Sequence, residues 1–269
     1  MNILMFGDVV GRPGRAVLAE HLREIITEYE ADIVIVNGEN ASGGNGLTLK
    51  NAKQLMALPI NCITMGNHVW KQKEILDYLD DYPMIVRPIN YPDALPGKGI
   101  YQFEHEGIQI AVLNASGQVF MEELDSPFGV IERRLEAILD GCDVLIVDFH
   151  AETTSEKLAM GYWLDGKAAI VAGTHTHVQT ADARLLPEGT AYITDLGMTG
   201  PAESVLGVQK EIIVHKMLTK LPARFEIEKT YPRQINGICV SVDESTYRPT
   251  AIERICRIYQ SPGASSMKR

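Results

Sequence analysis

Short apolar runs alternate along this chain with segments of helical period, and that alternation restricts it to a layered α/β fold. "NILMF" comes first. A helical pattern from about residue 15 to residue 29 follows, with Ala16, Leu18, Ala19, Leu22 and Ile25/Ile26 on one side. "DIVIV", a helix near 49–58, "NCITM" and a helix near 71–79 continue the pattern. Then come "IQIAVL", a helix around 128–139, "DVLIV" and "AAIVA". The runs "ARLL", "TAYIT", "GICVSV" and "ERICRIYQ" read as later strands, with "VDESTYRPT" as the turn joining the last two. Pro83, Pro88, Pro92 and Pro96 mark an irregular stretch rather than a linker. No internal repeat or composition break divides the chain, so residues 1–269 are expected to form a single domain, with a tail frayed from about 261.

A hydrophobic share of 45% and a charged share of 22% suit a chain of 269 residues that buries a proper core. The formal net charge of -10 argues against an extended nucleic-acid surface. It leaves room for a small phosphorylated ligand, because bound cations reverse the local sign. Cys62, Cys142, Cys239 and Cys256 are far apart and form no CxxC, which reads as reduced thiols in a cytoplasmic protein. "MNILMFGD" lacks the basic start and the length of a signal peptide, and no apolar run approaches a membrane span.

Polar residues close the strands in a pattern. "NILMF" ends in Gly7-Asp8, and "DIVIV" in Asn37-Gly38-Glu39-Asn40. "NCITM" ends in Gly66-Asn67-His68, "DVLIV" in Asp148-Phe149-His150, and "AAIVA" in Gly173-Thr174-His175-Thr176-His177. Ligands of open α/β sheets bind outside the carboxyl ends of the strands. Taken singly, each residue has a plainer use. Asp8 and Asn40 could cap helices, Glu39 could be a solvated acid, Asn67 a turn residue, and His150 a hydrogen-bonded core histidine. The plain reading must hold at five strand ends together. The donors are oxygen and nitrogen with no thiolate, a set that suits manganese, iron or zinc. Carboxylate, amide and imidazole together can hold two cations sharing one carboxylate.

"FGDVVGRPGR", "VNGENASGG", "TMGNHVW", "VDFHAE" and "GTHTHVQTAD" occur in an order that resembles the calcineurin-like metallophosphoesterases, and closely their YmdB-type bacterial branch. The likeness runs from the first residue to about residue 260. The superfamily usually opens with GDxHG; here Val10 stands in place of that histidine, and Glu39 replaces the bridging aspartate with Asn40 beside it. Both departures match the YmdB-type branch and suggest that Asn40 supplies the ligand Val10 cannot. The resemblance implies a four-layer α/β/β/α sandwich with its site at the strand carboxyl ends. It implies one metal on Asp8, Asn40 and His177, another on Asn67, His150 and His175, and Glu39 bridging them. Alternate residues of the HxH then serve different metals.

Such a site implies two transition-metal ions, divalent or trivalent, with iron or manganese favoured over zinc, and in-line attack on phosphorus by a metal-bridging hydroxide. His68 is the general acid by the family's GNH motif; another metal ligand or a packed ring is the alternative use. Arg87 and Lys71 read as surface charge, with phosphate contact as the alternative. The expected substrate is a small phosphodiester, a 2′,3′-cyclic nucleotide by resemblance. A phosphomonoesterase or nucleotidase on the same scaffold, and a regulatory nucleotide-binding protein with incidental hydrolysis, are the other readings. A metal-dependent amidohydrolase fits poorly, because its HxH follows the first barrel strand. Oligomeric state stays open, a homo-oligomer included.

Overall fold

Strands covered on both faces read as unbroken apolar runs, and the central strands of this protein are covered in that way. The computed structural model describes residues 1–268. In chain order they form β1 (Asn2–Phe6), β2 (Asp8–Val9), α1 (Gly11–Glu28), β3 (Ile33–Asn37), α2 (Leu49–Met56), β4 (Cys62–Thr64), α3 (Ile75–Tyr78) and β5 (Ile85–Val86). Next come β6 (Ile100–His105), β7 (Ile108–Ser116), α4 (Pro127–Glu132), α5 (Leu135–Asp140), β8 (Val144–His150), α6 (Thr154–Trp163) and β9 (Ile170–Thr174). The chain ends with β10 (Arg184–Leu185), β11 (Ala191–Ile193), β12 (Met198–Pro201), α7 (Lys210–Thr219), β13 (Arg233–Asp243), β14 (Arg248–Tyr259) and β15 (Met267–Lys268).

A nine-stranded sheet runs in the order β15-β14-β13-β1-β3-β4-β5, with β12 and β2 attached through β13. Within it β1, β3, β4 and β5 are parallel. A six-stranded sheet runs β10-β11-β9-β8-β7-β6, and there β7, β8, β9 and β11 are parallel. Period-2 alternation sorts the side chains between layers. Ile3 and Met5 of β1 face the second sheet, where they join Ile110, Val112, Ile146 and Ile170. Leu4 and Phe6 face outward onto Val17, Leu18, Leu22 and Ile25 of α1. On the far side Leu145, Val147 and Phe149 pack on Val130, Ile131 and Met160. The layers are therefore α/β/β/α, as the family likeness implies.

Several helices differ from expectation. α1 begins at Gly11 and turns Val17, Leu18, His21, Leu22 and Ile25 to the sheet, leaving Ala19 exposed and Ala16 half-buried. The helix expected over 71–79 shrinks to α3 and a 3-10 turn (Leu79–Asp81), because the chain after His68 runs in turns, Lys71 N bonding His68 O. The one expected over 128–139 is interrupted at Arg133 and Arg134. Where a frayed tail was expected, β15 pairs antiparallel with β14; Arg269 lies outside the described residues. The proline-rich stretch is organised by Arg87, which is buried and donates to the carbonyls of Pro88, Pro92, Leu95 and Pro96. Arg87 is thus not the surface charge it was expected to be, whereas Lys71 is exposed as expected. Among the described residues no helix is long and apolar enough to cross a membrane.

Candidate metal centre

Both sets of parallel strands bring their carboxyl ends to one rim, and the strand-end residues converge there. Asp8 opens β2 directly after β1, Glu39 and Asn40 follow β3, and Asn67 and His68 follow β4. His150 is the last residue of β8, and His175 and His177 follow β9. Asp8, Glu39, Asn40 and His150 are buried. Neither Asp8 nor Asn40 caps a helix: α1 starts after Val10 without a side-chain cap, and Thr48 caps α2.

Two groups form around Glu39. In the first, Asn40 Nδ2 lies 3.0 Å from His177 Nε2, 3.0 Å from Glu39 Oε1 and 3.4 Å from Asp8 Oδ1. In the second, His150 Nε2 lies 2.9 Å from Asn67 Oδ1, 3.0 Å from His175 Nδ1 and 3.2 Å from Glu39 Oε2. Glu39 reaches each group with a different oxygen. Ligand atoms of Glu39, His150 and His175 all lie within 4.8 Å of one another. Asn40 differs in detail from an oxygen ligand, since its Oδ1 turns instead to His68 Nδ1 at 2.9 Å. A ligand role requires a half-turn of that amide.

Each imidazole has one nitrogen held from outside. His150 Nδ1 is 2.9 Å from Thr174 Oγ1, whose own proton goes to Asp148 Oδ1 at 2.6 Å. His175 Nε2 is 3.1 Å from Glu152 Oε2, and His177 Nδ1 is 3.0 Å from the Leu206 carbonyl. Donation at those outer nitrogens leaves the inner ones with lone pairs. His150 Nε2 then faces the Asn67 oxygen, the Glu39 carboxylate and His175 Nδ1, acceptors all. One proton satisfies one such pair, whereas one cation satisfies the whole set. The donors present therefore fit a metal ion of the manganese, iron or zinc kind.

The charges point the same way. Burial opposes ionisation of Glu39, but the His150 and His68 imidazoles outweigh it and hold the carboxyl well below its usual range. Burial likewise opposes charge on Asp8, and His177 outweighs it. Burial would lower His150, yet Glu39 raises it to about 9. Glu39 thus calls for a positive neighbour, which a proton or a cation can supply. Burial and then the repulsion of His150 lower His175 to about 4, so its lone pair is available at neutral pH. Gly66 leaves the room: a Cβ there would stand 2.2 Å from Glu39 Oε2 and 2.4 Å from His150 Nε2.

His68 lines the cleft over this centre, a space of about 270 Å³ that also touches Glu152, His175, His177 and Leu206. Its backbone N–H donates to Glu39 Oε2, and its Nδ1 is held by Asn40 and Glu39. Several residues that serve the site were not assigned from the sequence. Glu152 orients His175. Asp148, raised to about 6 by burial, receives Thr174, Thr64 and Asn37. Asp195 takes the Thr176 N–H at 3.1 Å. Their signal was present, since Asp148 lies within "VDFH" and Asp195 directly follows "TAYIT".

A sequence profile described as YmdB-like protein matches residues 4–255. The chain belongs to the YmdB-like family. The 2′,3′-cyclic-nucleotide 2′-phosphodiesterase of Bacillus subtilis (strain 168) is 46% identical over 255 residues, covering 95% of this chain and 96% of that protein. Among solved structures, a novel phosphatase from Mycoplasma pneumoniae has a TM-score of 0.92 at 37% identity, covering 97% of this chain and 95% of its own. A hypothetical protein from Thermus thermophilus has a TM-score of 0.89 at 38% identity, covering 96% and 99%. In this YmdB-like chain Val10 is buried beside Gly200 and Gly207 and offers no donor atom.

Proposed function

We propose that this YmdB-like chain is a metal-dependent phosphoric diester hydrolase acting on small 2′,3′-cyclic nucleotides, as a single cytoplasmic catalytic domain. The observation that carries this is the gathering of ligand atoms of Glu39, His150 and His175 within 4.8 Å of one another, with Asp8, Asn40 and His177 grouped beside the other Glu39 oxygen. Asp8, Asn40 and His177 would hold one ion, Asn67, His150 and His175 the other, with Glu39 between them. When bound, such a pair polarises phosphoryl oxygens and supplies hydroxide at neutral pH. Iron or manganese suits this donor set best, with zinc next.

The chain's own groups do the remaining work. With its amide turned to face the ion, Asn40 would donate from Nδ2 to His68 Nδ1, which would leave the ring proton on Nε2. Opening a cyclic diester expels a ribose alkoxide, a strong base that takes that proton as the P–O bond breaks.

The test is a side-by-side assay on 2′,3′-cAMP, AMP and a bis-aryl phosphate, with metal content measured on the same samples. The cyclic nucleotide is expected to give the highest kcat/KM. Faster turnover of AMP would replace this reading with a phosphomonoesterase, the alternative that the Mycoplasma pneumoniae phosphatase favours.

A further inference from the structure

Asp195 and Lys157 form an ion pair at 2.7 Å, with side chains 0% and 1% exposed. Lys157 projects from α6, and Asp195 stands just beyond β11. If the pair served only to anchor α6, one contact would suffice. The carboxylate does more. Its Oδ2 also accepts from Thr176 N at 3.1 Å and from Thr176 Oγ1 at 2.7 Å, and its Oδ1 accepts from Gly197 N at 2.8 Å. The backbone of Asp195 then bonds Thr180, its N–H donating to Oγ1 at 2.9 Å and its carbonyl accepting from the Thr180 N–H at 3.1 Å. Every bond to the turn reaches Thr176 or a residue just beyond His177.

Thr176 lies between two histidines in the left-handed region, His175 at φ 96° and His177 at φ 64°. Side chains with a Cβ avoid that region, and such conformations persist where the surroundings over-determine them. Two of them flanking one residue aim consecutive imidazoles into different groups of donors. The residue between them is the one Asp195 grips.

We infer that Asp195 and Lys157 are positioning residues, a buried clamp on Thr176 that holds the His175 and His177 imidazoles in register for two different ions. The clamp rests on the metal-centre reading above. Lys157 pairs with the Asp195 carboxylate inside the protein, and the carboxylate transmits that hold to the turn.

Three variants of the full chain test this: Asp195→Asn, Lys157→Met and Thr176→Val. An asparagine amide, in either orientation, sets a donor against Gly197 N–H or against the Thr176 donors. Valine keeps the shape of Thr176 and removes only its hydroxyl. Binding is read by equilibrium dialysis with Mn²⁺, and folding by far-UV circular dichroism. Wild type is expected to bind two Mn²⁺. Asp195→Asn and Lys157→Met should each weaken binding by about 10–100-fold, the usual cost of losing an outer partner of a metal ligand. Thr176→Val should weaken it by about 3–10-fold, and it decides the matter should the two buried variants fail to fold. Folded variants with wild-type Mn²⁺ affinity overturn the clamp alone, whereas a wild-type protein that binds no Mn²⁺ overturns the metal centre and the clamp together.

Discussion

Gly66→Ala adds one methyl group where the two donor groups meet. The new carbon would stand 2.2 Å from Glu39 Oε2 and 2.4 Å from His150 Nε2, and real Cβ atoms essentially never come within 3.0 Å of such neighbours. The carboxylate must therefore retreat by at least 0.8 Å, the difference between 3.0 and 2.2, and the imidazole by 0.6 Å, the difference between 3.0 and 2.4. Both side chains are 0% exposed and bonded to neighbours, Glu39 to Asn40 and His150 to Thr174, so either retreat disturbs those contacts. Gly66 lies outside the left-handed region, so alanine meets no backbone strain there and the effect is steric. A misplacement of about 1 Å among reacting groups costs about 10²-fold in rate. We expect kcat on 2′,3′-cAMP to fall by about that factor or more, with metal content falling in parallel. Overpacking should destabilise the fold by about 1–3 kcal/mol, a lowering of Tm by several degrees. Gly129→Ala is the control. It lies in α4, with its nearest atom at an ordinary 3.5 Å, and should be neutral or slightly stabilising. A Gly66→Ala enzyme that keeps both metals and turns over like wild type would show that Glu39 and His150 do not share an ion at this point.

His68→Ala should keep both metals and lose about 10²–10⁴-fold on the cyclic nucleotide but clearly less on an activated aryl ester, which leaves without a proton. Equal losses on both would mean that His68 positions phosphate instead. Glu39→Gln should abolish turnover in a folded protein by loosening both ions at once, and near-normal activity with two metals bound would remove the bridge. Strong chelation should end activity, with manganese or ferrous iron restoring it better than magnesium, because imidazole ligands favour transition ions. Full activity in excess chelator with no metal by elemental analysis would defeat the mechanism.

The layered fold was legible because buried parallel strands announce themselves as apolar runs, and the ligand candidates because each run stops at a polar residue. The missing elements lacked that contrast. α7 has no buried residue and so no stripe to detect. The buried face of α6 consists of Lys157, Met160 and Gly161, in which the lysine reads as surface. Arg87 misled for the same reason: its charge suggested solvent, while four backbone carbonyls supply what solvent would. Asp195 followed a recognised strand, but its partner Lys157 is 38 residues away in sequence, so nothing local distinguished it from an ordinary loop acid. The outward nitrogens of His150, His175 and His177 meet Thr174, Glu152 and Leu206, and only the folded chain shows which nitrogen is left to point inward.

Asp148 lends the two sheets something their shared face lacks. That face, from Ile3 and Met5 to Ile146 and Ile170, is apolar, and apolar attraction has no preferred direction. Surfaces of that kind resist separation far more than they resist a small sideways slip. Asp148 accepts from Asn37 and Thr64 of one sheet and from Thr174 of the other, and it does so at the level where the strands end. It acts as a locating pin between two otherwise smooth plates. Substitutions in the apolar face, far from any ligand atom, should then divide into two kinds: those that loosen the plates and unfold the protein, and those that bend the pin and leave a well-folded protein whose two half-sites no longer meet.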